Sequence, residues 1–221
     1  MLTRWVPTLV SVAVGALLAA AFLDLLPGAF RRSADVAGLF ATVLAGIVVL
    51  FVMEKLALWR HQHVHGERAT EPRERAALLI LVGDGVHNFV DGILIAAAFL
   101  TDTTLGIVTT LAVIAHEIPQ EVGDFMVLLN AGYTRTRALV LNLLSSLTAV
   151  AGGVVGYLLL DAATAAIPYV LALAAASFIY VAVADLIPDL HRQDARTPAA
   201  AQVALLAAGI LMVFAGQGLL H

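Results

Sequence analysis

The chain has 221 residues, 61% of them hydrophobic and 13% charged, with a mean hydropathy of +0.96, which is too little polar surface for a water-soluble globule. Its net charge of -4, without a long run of one sign, points away from a nucleic-acid partner. The absence of cysteine excludes disulfides, thiolate metal ligands and cysteine nucleophiles.

Apolar runs recur along the whole length, and seven spans can be drawn at about residues 5–27, 36–58, 76–100, 104–129, 137–160, 164–188 and 199–220. Each is near the length a helix needs to cross hydrocarbon, and backbone amides in lipid must be satisfied within the segment. The expected fold is therefore all-α, a polytopic transmembrane helical bundle forming one integral membrane domain over residues 1–221. The first run is longer than the apolar region of a signal peptide and ends on Asp24-Leu25-Leu26-Pro27-Gly28, so it counts as a span. The connections are short except for 59–75, a polar loop carrying His61, His63 and His65, whose spacing lets two or three imidazoles reach one ion.

With the N-terminus in the cytoplasm, ten of the 12 basic residues fall inside, and only Arg31 and Arg32 fall outside. The C-terminus is then outside, and the expected location is a bacterial inner (plasma) membrane. The first span closes on Phe22-Leu23-Asp24-Leu25-Leu26-Pro27-Gly28 and the sixth on Val183-Ala184-Asp185-Leu186-Ile187-Pro188-Asp189. The two spans cross in opposite directions, so the echo reads as an inverted repeat, a hallmark of carriers.

Span three places Asp84, His87, Asn88 and Asp91 at i, i+3, i+4 and i+7, on one helix face. Span four places His116, Glu117, Gln120, Glu121 and Asp124 on one side. Neither interior contains a lysine or arginine, so these carboxylates must be neutralised by protons, by a metal ion or by water. Imidazole with carboxylate suits zinc, and also iron(II), manganese or cadmium. Pro119 removes a backbone hydrogen bond in span four and frees the carbonyl one turn earlier. Gly152-x-x-x-Gly156 in span five reads as a helix-packing contact, and Asn142, Ser145 and Ser146 as interhelical hydrogen bonds. Glu54, Asp185 and Asp189, at the inner ends of their spans, are open to two readings: snorkelling end-caps, or a path for metal release.

The strings His87-Asn88-Phe89-Val90-Asp91-Gly92 and His116-Glu117-Ile118-Pro119-Gln120-Glu121 resemble the paired motifs of the histidine-rich LIV branch of the ZIP metal-ion transporters. Glu54-Lys55, the Asn142–Thr148 run and Phe178–Pro188 extend the resemblance over nearly the whole chain. The resemblance implies a homodimeric eight-helix carrier that brings zinc or another divalent ion into the cytosol through a two-metal centre. By position, His87, Asp91, His116 and Glu117 hold the first ion, with Asn88, Glu117 and Gln120 near the second and Glu121 beside them. Glu54, Asp185 and Asp189 then match the release path, and His61, His63 and His65 the cytoplasmic loop. Two departures stand out: Gln120 replaces the branch's second histidine, and the family's first helix has no counterpart among the seven spans.

Two other functions compete. A membrane metal sensor would use the same ligands without flux. An intramembrane metalloprotease would need a histidine at Gln120, and Pro119 disrupts the helical spacing of such a zinc site.

Overall fold

The computed structural model describes residues 6–67, 73–192 and 198–220. Within those ranges the side chains of residues 6, 54, 56–67, 73–76, 78–79, 189 and 216–220 lie outside the description, and with them the roles expected of Glu54, His61, His63, His65 and Asp189. Seven helical bodies run in chain order through the described residues, and they contain no strand. Helix α1 runs as Val6–Ala19, a π turn Ala20–Leu25 and Leu26–Arg32; α2 is Val36–Glu67, α3 is Arg73–Thr101 and α4 is Thr103–Asn130. Helix α5 runs as Arg135–Ser146 and Thr148–Ala162, interrupted at Leu147. Helix α6 runs as a 3-10 turn Thr164–Ala166, then Ile167–Tyr180, a π turn Val181–Leu186 and Ile187–Arg192, and α7 is Ala199–Leu220.

Each expected span is met by one helix. Helix α2, however, continues to Glu67, so the first part of the expected 59–75 loop is helical. The turns follow from local chemistry. Asp102 caps α4 by accepting from the Thr104 and Leu105 amides at 2.8 and 3.2 Å, and Thr134 caps α5 by accepting from Arg137 N. Gly132, at φ +98°, supplies the left-handed residue that ends the α4–α5 turn.

Five of the helices are long and apolar enough to cross a membrane by length and composition. Helix α4 is not among the five, because its second half carries His116, Glu117, Pro119, Gln120, Glu121 and Asp124. It runs unbroken through Pro119.

Burial separates inner from outer helices. The α1 span is 72% buried, whereas the α2 span is 11% buried and the α5 span 17%, which puts these two on the outside of the bundle. Close packing uses small residues, as expected where lipid removes the hydrophobic drive for helix association. A Cβ on Gly15 would collide with the Leu206 carbonyl of α7, and one on Gly209 with the Val12 carbonyl of α1. On the other pair, a Cβ on Gly46 of α2 would stand 2.8 Å from the Ala176 Cβ of α6. Helices α3 and α5 meet through Gly92, Gly152 and Gly156, the last with its Cβ position 2.8 Å from Ile93 Cα, as the spacing in span five predicts.

The α1–α7 and α2–α6 pairs are exchanged by the operation that swaps α1 with α6 and α2 with α7. The sequence echo has a matching local structure. Leu26 N–H reaches the Ala21 carbonyl and Ile187 N–H the Ala182 carbonyl, each five residues back, and each π turn is followed within two residues by a proline, Pro27 or Pro188. Both observations carry the inverted-repeat expectation into three dimensions.

Candidate metal centre

The polar faces of α3 and α4 meet in the interior of the bundle. Ligand atoms of His87, Asp91, His116 and Glu117 lie within 4.8 Å of one another, and those of Asp84, Glu117 and Glu121 form a second such group. Glu117 belongs to both. In the first group His116 Nε2 stands 3.2 Å from Asp91 Oδ2 and 3.4 Å from Glu117 Oε1, while His87 Nε2 stands 3.4 Å from Glu117 Oε1 and 3.8 Å from Asp91 Oδ2. Two ligands each about 2.0–2.1 Å from a tetrahedral zinc are about 3.3–3.4 Å apart, so three of these four spacings are those of a zinc coordination shell.

The tautomer of His116 follows from its other ring atom. Nδ1 lies 3.1 Å from the Ala112 carbonyl, which can only accept, so Nδ1 carries the proton and Nε2 presents a lone pair to the two carboxylates. The ring also meets Phe178 of α6 edge-on at 5.9 Å and His87 at 5.7 Å between centroids. His87 Nε2, His116 Nε2 and both carboxylate oxygens of Asp91 and Glu117 are buried without a hydrogen-bond partner. Six lone-pair atoms thus converge where water does not reach, an arrangement that requires a cation or protons among them.

The second group is held by hydrogen bonds from two sides. Gln120 donates to Asp84 Oδ1 at 2.9 Å and Ser145 to Asp84 Oδ2 at 2.6 Å. Ser146 donates to Glu121 Oε1, and Asn142 Nδ2 to the Glu121 carbonyl at 3.0 Å. The interhelical hydrogen bonds expected of Asn142, Ser145 and Ser146 are therefore formed, and those of the two serines end on carboxylates of the site.

A family model described as the ZIP zinc transporter matches residues 59–217. This chain belongs to the ZIP zinc transporter family. It is 39% identical to human zinc transporter ZIP10 over 145 residues, 62% of this chain and 17% of that protein. It is 47% identical to rat zinc transporter ZIP4 over 112 residues, 51% of this chain and 17% of that protein. With the zinc transporter zipt-7.2 of Caenorhabditis elegans it shares 36% over 142 residues, 62% and 31% of the two chains. The matched region spans less than a third of each of these ZIP relatives.

Within the ZIP pattern the structure sorts the expected site residues. His87, Asp91, His116 and Glu117 come together as a group. Asn88 is buried, and its amide donates to the Asp84 main-chain carbonyl at 3.2 Å. Gln120 donates to Asp84 Oδ1, while Glu121 enters the second group. Asp124 is half-buried and in neither, and Asp185 is exposed, within the second π turn. Asp84 joins Glu117 and Glu121 in the second group. The signal for it was present, because Asp84 lies on the same α3 face as His87 and Asp91. Phe178, the wall behind His116, gave no polar signal.

Proposed function

We propose that this chain carries zinc across the membrane, with the first ion bound by His87, Asp91, His116 and Glu117. The six buried, unpartnered lone-pair atoms support this reading most strongly. A proton on each carboxylate would quench their charge but would not account for ring nitrogens spaced from oxygens as ligands of one tetrahedral ion are. A second ion is held by Asp84 and Glu121, with Glu117 bridging the two. This group is all-oxygen, and iron(II), manganese or cadmium enters the proposal through it. No observation favours the sensor or the protease.

Direction follows from burial. Asp91 and His116 are 1% and 2% exposed, Glu117 12% and His87 25%, with Glu121 and Asp124 half-buried further along α4. Toward Thr101 and Thr103 the centre is sealed by Leu94, Ala97, Ala98, Leu105, Val108, Ala112 and Val113. With the basic residues inside, this is an inward-facing state, entered from the Thr101 side and left toward Arg73 and Asn130. Asp185 stands on the release side. The location in a bacterial inner membrane and the homodimer are parts of the same proposal. Light scattering in detergent checks the homodimer, and a molecular mass of one chain would contradict it.

Two outcomes follow. Zinc affinity is expected to fall as pH drops from about 7.5 to 5.5, a range that brackets the ordinary histidine value, because an imidazole must be neutral to bind metal. Calorimetric titration in detergent tests this, and a flat affinity would contradict it. Asp84→Asn is expected to reduce the zinc bound per chain from two ions to one while sparing the first site, since Asp84 belongs only to the second group. Elemental analysis of the purified variant gives the count, and two ions retained would remove Asp84 from the site.

A further inference from the structure

Thr109 is the anomaly in the seal. It is 0% exposed, yet its hydroxyl has no hydrogen-bond partner. A threonine inside a helix ordinarily satisfies itself on the carbonyl four residues back. Thr42, Thr101 and Thr110 each do so, on Gly38, Ala97 and Gly106, at 2.8–2.9 Å. A buried hydroxyl left unpaired is a standing cost that valine, of the same shape, would not incur.

Its position suggests the reason. Thr109 precedes His116 by seven residues, two turns or about 10 Å of α4, and so lies on the same helix face as His116 and Gln120. It is flanked on its own helix by buried Leu105, Val108, Ala112 and Val113, and the cluster sealing the centre is rich in alanine, including Ala20, Ala21, Ala97, Ala98, Ala174 and Ala175. Thr109 is therefore a polar atom on the line of the ion ligands, in the apolar stretch that an ion entering from the Thr101 side must cross.

We propose that the Thr109 hydroxyl is a transient oxygen ligand, unpaired in the inward-facing state and engaged by the metal ion when the seal opens toward the Thr101 end. This rests on the transport reading above. An ion between bulk water and the His116 site exchanges its water shell stepwise, and one hydroxyl oxygen halfway replaces a water where no other polar side chain on this α4 face stands between Thr109 and His116.

The test compares Thr109→Val and Thr109→Ser with the wild-type chain in proteoliposomes, using zinc as the ion. Thr109→Val is expected to slow zinc flux about three- to tenfold, the rate equivalent of one neutral hydrogen bond lost. Its zinc affinity in detergent should be unchanged and its melting temperature equal to or above wild type. Thr109→Ser should restore the flux. A purely structural threonine predicts a different result: Thr109→Val as stable as wild type or more so and transporting at the wild-type rate, which would overturn the proposal. Slow flux in Thr109→Val that Thr109→Ser does not restore would also overturn it. Absence of zinc flux in the wild-type chain would count against the transport reading instead.

Discussion

Alanine at Glu117 is expected to abolish zinc transport, with a larger effect than alanine at any other ligand. Glu117 is shared by the two groups, and both of its oxygens are buried without a hydrogen-bond partner. Its loss leaves the first ion with His87, Asp91 and His116 and the second with Asp84 and Glu121, so both ions lose negative charge at bilayer depth. Removing one partner from a buried charged group costs about 3–5 kcal/mol, and 1.4 kcal/mol is tenfold in an equilibrium constant, so a loss of about 100-fold or more follows. Asp84→Ala, confined to the second group, should do less. Initial rates in proteoliposomes made from monodisperse variants test the ranking. Equal rates for Glu117→Ala and wild type would mean that the cation is not carried here.

Leucine at Gly152 is expected to disrupt the bundle rather than the chemistry. A Cβ there would collide with the Phe89 carbonyl, which is backbone and cannot turn aside, so α3 and α5 must separate. Overpacking costs about 1–3 kcal/mol in a well-packed core, and here it falls on an interface that also carries the Ser145–Asp84 and Thr148–Gly85 hydrogen bonds. A lower melting temperature and a polydisperse elution profile are expected. Gly153→Ala is the control, because a Cβ at Gly153 meets only the Gly92 carbonyl, at 3.7 Å, and should behave as wild type. A stable, monodisperse Gly152→Leu would show that the helices do not meet through these glycines.

The seven helices were legible because hydrocarbon imposes one length and one secondary structure, and the expected spans agree with the observed helices apart from the continuation of α2 to Glu67. Helix α4 carries six polar or proline positions from His116 to Asp124, and they identified it through the matching stripe on α3. The first ligand group could be named from spacing and resemblance together. For the second, a linear pattern offers Asn88 and Gln120, and only the folded chain shows their amide nitrogens donating to Asp84 and the Asp84 carboxylate standing beside Glu117 and Glu121. The π turns were not predictable from periodicity, although the Asp-Leu-x-Pro echo marked both places. Thr109 left no trace in the sequence, because a helical threonine is normally self-satisfied and only a three-dimensional count of hydrogen bonds shows that this one is not.

Zinc uptake into proteoliposomes loaded with an impermeant zinc indicator bears most directly on the central claim, that the buried ligand group is a transport site rather than a sensing or structural one. The reconstituted chain should give saturable zinc entry that Glu117→Ala abolishes, with both proteins inserted to the same extent. Stoichiometric zinc binding by the wild-type chain in detergent, with no entry above that of protein-free vesicles, would contradict the account and leave the site as a metal sensor.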